Sequence, residues 1–299
     1  KYTSRDDNTS GTIRPWGLGP RVPMYVVSPW SKGGWVNSEV ADHTSVGQFL
    51  EARFGITVPG ISPWHRAVCS DLTSCFDFTG REDPIFPDLP DVANSEEVLA
   101  IHLQRPKILP PRTPQRLFQE PGIRRSRPLP YVLHVHADFS RAGDRITLEF
   151  INEGSVAAVF HVYDRAHLDR IPHRYTVEAG KRLAAEWQAG SDGRFDLLVL
   201  STNGFVRSFS GKIEANAPGL KVSARYASER RQVELSIANP SNERASVLIS
   251  NDAYTINSDR QLGISSKSTG TASWKADRSA NWYDMTLDAG GLRYGFAGR

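Results

Sequence analysis

The spacing of apolar and polar residues changes character twice along the chain. Near the start, "RVPMYVVSP" (21–29) is a short run of β-formers ending in proline, which predicts a buried strand. After the glycine-containing loop "WSKGGW", Val46, Phe49, Leu50 and Phe54 fall at helical spacing and Gly55 follows as a stop, so a helix with one apolar face is expected. From Asp83 to about Arg127 the periodicity disappears. Residues 103–128 hold six prolines and seven basic residues against one acid, a composition that rules out a regular helix or central strand there. Beyond residue 130, "YVLHVHADF", "DRITLEFIN", "AAVFHVYD", "HRYTVEAG", "RFDLLVLS" and "FVRSFSG" alternate between apolar and polar and are broken by Gly, Asn and Asp turns. That is the pattern of an all-β sandwich.

The all-β part repeats itself. "RFDLLVLSTNGFVRSFSGK" (194–212) aligns with "WYDMTLDAGGLRYGFAGR" (282–299), placing Phe195 with Tyr283, Phe209 with Phe296 and Gly211 with Gly298. "RITLEFINEGSVAAVFHVYD" (145–164) corresponds to "QVELSIANPSNERASVLISNDAY" (232–254). A period of about 80–85 residues is too long for a solenoid repeat and suits a small sandwich. The expected organisation is an α/β segment over residues 1–80, a Pro/Arg-rich linker over 81–129, and two β-sandwich modules, 130–215 and 216–299. The linker is expected to lie across the surface, either solvated or with its arginines paired to acidic groups on a neighbouring domain or to anionic lipid.

Composition narrows the function classes little. A net charge of +3 spread along 299 residues does not indicate nucleic-acid binding, and no apolar run is long enough to span a bilayer. The first residues have neither a methionine nor the apolar core of a signal peptide, and the chain reads as soluble and as cut from something longer. Cys69 and Cys75, with five residues between them, could close a disulfide across a turn or remain two thiols. Histidines are scattered. The tight pair His134 and His136 would share one face of a strand, read as a solvated face rather than a metal site.

"ADHTS" (41–45) sits where the helix should begin. Asp42 is read as its N-cap, accepting hydrogen bonds from first-turn amides, with Ala41 and Val46 as a weak hydrophobic staple. His43, next in line, is a candidate group supporting an active-site mouth. Trp30 and Trp35 lie on the loop after the presumed strand, the edge where α/β sheets bind ligands, and are candidates for a cation–π contact with a quaternary ammonium group or, alternatively, for packing anchors of that loop.

The phrases "GLGPRVPMYVVSPWSKGGWVNSEVADHTSVGQFLEARFGI" and "ISPWHRAVCSDLTSCFDF", followed by the two closing motifs at 194–212 and 282–299, resemble the C-terminal part of the bacterial phosphocholine-preferring phospholipases C. The resemblance covers almost the whole chain and is weakest at 1–11 and in the linker. It implies the end of a phosphoesterase domain of the alkaline phosphatase superfamily type, followed by two copies of a small C-terminal domain. It also implies a secreted or periplasmic enzyme that releases phosphocholine from phosphatidylcholine or sphingomyelin, with possible peripheral membrane contact. In related phosphoesterases the ligands are an Asn-containing acidic motif near the N-terminus, a central Ser or Thr, and an acidic pair before the last strand, none of which occurs here. The chain is therefore expected to hold no cofactor, to lack a complete catalytic centre and to have the N-terminal catalytic half as its partner. Any divalent metal would belong to that half. The alternatives are a non-catalytic binding or scaffold module, and an acid phosphatase of the same superfamily.

Overall fold

The structure is a computed structural model. It describes residues 5–7, 12–14, 17–19, 21–79, 85, 88–89, 91–107, 109, 112–113, 122, 124–140, 142, 144–213, 219–254 and 258–299. Its mass is β-structure. A first set of seven strands comprises β3 (Leu133–Phe139), β4 (Arg145–Asn152), β5 (Ala158–Asp164), β6 (His173–Val177), β7 (Arg182–Gln188), β8 (Arg194–Leu200) and β9 (Val206–Lys212). A second set repeats the order as β10 (Lys221–Ala227), β11 (Gln232–Asn239), β12 (Ala245–Ala253), β13 (Arg260–Ile264), β14 (Ser268–Lys275), β15 (Tyr283–Ala289) and β16 (Leu292–Gly298). A hairpin of β1 (Arg5–Asp7) and β2 (Thr12–Arg14) precedes them.

The repeat is longer than the sequence pattern suggested. Residue n of the first set answers residue n + 87 of the second, as the buried asparagines show. Asn152 donates to Val156 O (2.8 Å) and Val177 O (3.0 Å), while Asn239 donates to Glu243 O (2.7 Å) and Ile264 O (3.2 Å). Each asparagine stitches a turn to a neighbouring strand end, so its four-fold hydrogen-bonding capacity fixes the same corner twice. Phe195 and Tyr283, one residue off that offset, also correspond, each lying opposite a glycine of the next strand, Gly211 and Gly298.

The sets are not separate bodies. β9 pairs antiparallel with β16, producing one eight-stranded sheet in the order β13-β12-β15-β16-β9-β8-β5-β6. The register is self-complementary. Phe209 faces Tyr294, Arg207 faces Phe296, and Ser208 faces its own counterpart Gly295, which marks a local two-fold axis. The other layer holds β3-β4-β7 and β10-β11-β14 side by side, with Lys221 Nζ 3.1 Å from Asp138. Apolar residues alternate inward on both layers and fill one continuous core that includes Phe150, Phe160, Phe209, Leu235, Trp274 and Phe296. His134 differs from its expectation. β10 lies against it, Ala224 O is 2.9 Å from its Nδ1, and burial lowers its pKa.

The front segment departs furthest from the sequence pattern. α1 (His43–Phe54) forms as expected, but residues 21–27 are in no strand. All but Val26 are exposed, Tyr25 by 88% and Val27 by 94%. A strand draws its hydrogen bonds and burial from neighbours, and no described strand runs beside these residues. The apolar face of α1 is uncovered for the same reason: Val46, Leu50 and Phe54 are exposed, while Ser45 and Gln48 are buried. Within the expected linker, "SEEVLAIHLQ" forms α3 (Ser95–Gln104), whose acidic first turn, Glu96 and Glu97, complements the helix dipole. Most of residues 108–121 lies outside the described residues. Among the described residues no helix is long and apolar enough to cross a membrane.

Candidate functional site

The chemistry-bearing side chains of the front segment meet at the start of α1. Asp42 takes extended backbone there, and its Oδ1 accepts from Thr44 N (2.8 Å) and Thr44 Oγ1 (2.6 Å), while Ser45 Oγ accepts from Asp42 N–H (3.1 Å). These bonds satisfy amides that the helix leaves without partners. At the far end Gly55, at φ 66°, donates to Glu51 O (2.9 Å). α2 (Pro63–Val68) packs alongside with Ser62 as its cap, and Ser62 Oγ stands 2.7 Å from His65 Nδ1. His65 Nε2 in turn lies 3.5 Å from Asp42 Oδ2.

Cys69, at the end of α2, is buried and its thiol faces Asp42. Burial first, and then the Asp42 carboxylate, push the thiol pKa up to about 12. For Asp42 burial works to raise the pKa, but the Thr44 bonds, the nearby His65 and the Cys69 thiol outweigh it and the carboxyl lies below its usual range. Both cysteines are free thiols, so the disulfide alternative is not realised. Cys69 turns to Asp42, while Cys75 closes a 3-10 turn (Thr73–Cys75) and takes a hydrogen bond from Asn37 Nδ2 at 3.3 Å. His43 is exposed at the first helical position and is not drawn into this group.

Trp30 and Trp35 occupy different surroundings on the 28–37 loop. Trp30, 40% exposed, begins a row of rings that runs to Phe78 (5.7 Å), Phe76 (5.5 Å) and Phe49 (5.3 Å). Trp35 carries the Arg127 guanidinium 4.6 Å and that of Arg125 5.7 Å from its ring centroid. The linker arginines that were expected to seek acids or lipid thus end at residues 125 and 127 on an indole. The sequence offered no signal for this pairing, since 90 and 92 residues separate Trp35 from Arg125 and Arg127.

The segment is welded to the first strand set. Val68 and Cys69 pack on Ala157 and Val159, Trp64 Nε1 donates to Thr176 Oγ1 (3.0 Å), and Ala157 N donates to Ala67 O (3.0 Å). Tyr131 Oη accepts from Val40 N at 3.0 Å. His161, on the same outward face of β5 as Val159, is half-buried. That burial, with the Arg174 charge beside it, lowers its pKa to about 4.

Among the described residues no group of three or more His, Cys, Asp or Glu side chains could hold a metal ion. Asp42 spends one carboxylate oxygen on its helix cap, which leaves it a poor ligand.

Comparison with known proteins agrees with this architecture. A phosphoesterase family model matches residues 2–57, and the model of the bacterial phospholipase C C-terminal domain matches residues 125–212. A non-hemolytic phospholipase C of Pseudomonas aeruginosa is 41% identical over 293 residues, covering 95% of this chain and 42% of that protein. A non-hemolytic phospholipase C of Burkholderia pseudomallei is 37% identical over 92% of this chain and 40% of its own length. The hemolytic phospholipase C of Pseudomonas aeruginosa is 35% identical over 94% of this chain and 43% of its own length. The chain therefore spans about two fifths of these relatives, and it carries one segment that matches the phosphoesterase family and another that matches the C-terminal domain of the bacterial phospholipases C.

Proposed function

We propose that this chain is the C-terminal part of a secreted phospholipase C that hydrolyses phosphatidylcholine or sphingomyelin and releases phosphocholine. On this reading each seven-strand set is an accessory module facing substrate or membrane, and the catalytic groups are supplied by the rest of the phosphoesterase domain. The carrying observation is the uncovered apolar surface of the front segment. Val22, Met24, Tyr25 and Val27, the Val46–Leu50–Phe54 face of α1 and the exposed Phe78 are concentrated in the part that matches or adjoins the phosphoesterase family, whereas the strand sets enclose a full core. An exposed apolar patch of that extent marks an interaction surface, and the remainder of a phosphoesterase sheet and its helices would fit it. Residues 21–27 would then become an interior strand, with the 28–37 loop at its carboxyl end, where open α/β sheets bind ligands.

Of the two tryptophans, Trp30 is the better candidate for a choline contact, because Trp35 already carries two guanidinium groups. The reading is tested by assaying this chain and the full-length protein side by side on p-nitrophenylphosphorylcholine with added divalent metals. Phosphodiester cleavage needs a positioned nucleophile and a cationic clamp on the phosphoryl oxygens. The isolated chain is expected to be inactive. Turnover within tenfold of the full-length protein would overturn the division of labour proposed here.

A further inference from the structure

We propose that Arg127 is a positioning residue through which the strand sandwich holds the tryptophan loop 28–37. The contacts form an unbroken series from the core outward. Residues 130–132 are anchored by backbone bonds from Glu153 N to Val132 O (2.8 Å) and from Ser155 N to Pro130 O (3.0 Å), and Gly154 leaves no room for a side chain there, since an added Cβ would lie 2.2 Å from Pro130 O. Pro128 and Pro130 stiffen the step back to Arg127. Arg127 N then donates to Val36 O (2.9 Å), and Val36 N donates to Arg125 O (2.8 Å), a parallel bridge centred on Ser126.

The Arg127 side chain adds contacts to both sides of the loop. Its guanidinium lies 4.6 Å from the Trp35 ring centroid, and Nη2 donates to Cys75 O at 3.2 Å. The 75–78 stretch in turn holds the other tryptophan, because Asp77 N donates to Trp30 O at 2.9 Å and Phe78 meets the Trp30 ring. The loop has little rigidity of its own. Gly33 and Gly34 both have positive φ, 108° and 64°, and Trp35 is 38% exposed. A planar guanidinium can stack on an indole and hydrogen-bond a carbonyl at once, which an ammonium group cannot do in the same geometry.

The positioning itself is read from this chain alone. Its consequence for catalysis rests on the proposed function, in which the loop borders the substrate. The test uses 5-fluorotryptophan labelling of the 299-residue chain, with the Trp35 resonance assigned through Trp35→Phe, and compares Arg127→Ala, Arg127→Lys and, as a control, Arg125→Ala. Arg127→Ala and Arg127→Lys are both expected to shift and sharpen the Trp35 signal and to raise its accessibility to acrylamide, with the melting temperature within about 2 °C of the parent. Arg125→Ala should move it much less. In the full-length protein Arg127→Ala should raise KM for the phosphocholine ester about fivefold to tenfold and leave kcat within twofold. An unchanged Trp35 signal in Arg127→Ala, or full rescue by lysine, overturns the proposal. A shifted Trp35 signal with unchanged KM upholds the positioning and overturns the substrate-facing reading of the loop.

Discussion

His161 gives the sharpest physical forecast. In the folded protein its pKa is lowered from 6.5 to about 4, by burial first and by Arg174 second. A histidine depressed in this way supports the fold above its unfolded pKa, where it is neutral in both states. Below pH 6.5 the unfolded chain binds the proton and the folded one does not, so stability falls as pH drops through about 4. At 1.36 kcal/mol per pH unit the full shift would cost about 3 kcal/mol between pH 6.5 and 4, and solvent screening of a ring that is only half-buried reduces this to roughly 1 to 2 kcal/mol. His134 and His136 are lowered for the same leading reason and add their own dependence, so the measurement must be a difference between two proteins. The comparison is His161→Leu, because the repeat places Leu248 at the equivalent position of β12. Urea unfolding of both proteins at half-unit steps from pH 7.5 to 4 should give curves that diverge steadily below pH 6.5, the variant losing less. Parallel curves would refute a His161 held neutral in the fold. So would a variant that titrates as steeply as the parent.

Other outcomes can be checked singly. Asp42→Asn should be mild, since asparagine caps about as well, whereas Asp42→Ala should lower stability by roughly 1 kcal/mol in thermal melts. If Asp42→Asn abolished turnover in the full-length protein at unchanged melting temperature, the capping account would fail. Gly211→Ala should destabilise by more than about 2 kcal/mol, because φ is 132° and the new Cβ would lie 2.2 Å from Gly291 O, while Gly290→Ala, in open space at φ 57°, should cost about 1 kcal/mol. Equal costs would contradict the close approach of β9 to the β15–β16 turn. Arg207, buried, donates to Val206 O, Ala297 O, Tyr226 Oη and Tyr283 Oη, so Arg207→Ala should cost about 3–5 kcal/mol in equilibrium unfolding. A cost below about 1 kcal/mol would show that this cluster does not hold the two strand sets together.

Legibility in the sequence followed the range of the interactions. Strand alternation and the Asn-led turns are local, and they revealed the strand sets and the repeat. The period of about 80–85 fell short of the very pairs it was read from, since Phe209 with Phe296 and Arg145 with Gln232 are each 87 residues apart. α1 was legible from its cap, its apolar spacing and its stop, but that spacing does not say what covers the face, and among the described residues Val46, Leu50 and Phe54 are exposed. The same holds for 21–27, where β-forming composition cannot make a strand without partners. α3 was lost under the averaged composition of a proline-rich stretch that begins just after it. Arg127 on Trp35, His65 beside Asp42 and the β9–β16 seam are contacts between distant residues, and no local pattern encodes them.

The self-complementary seam between β9 and β16 makes the repeat a dimer held in a single chain. The connection from Lys212 to Lys221 is short, so each edge strand meets its partner at an effective concentration far above that of free molecules. The tether allows the halves to diverge, since an intramolecular pair need not be good for two identical copies. On one side of the seam Phe139 and Phe195 of the first set meet Tyr294 of the second as rings in contact, whereas on the other side Tyr226 and Tyr283 of the second set are joined to Arg207 of the first by hydrogen bonds. It also sets a hazard. A fragment that stops after β9 would leave that strand's backbone donors and acceptors bare, and it would pair with another copy of itself or aggregate, so the second set acts as an intramolecular chaperone for the edge of the first.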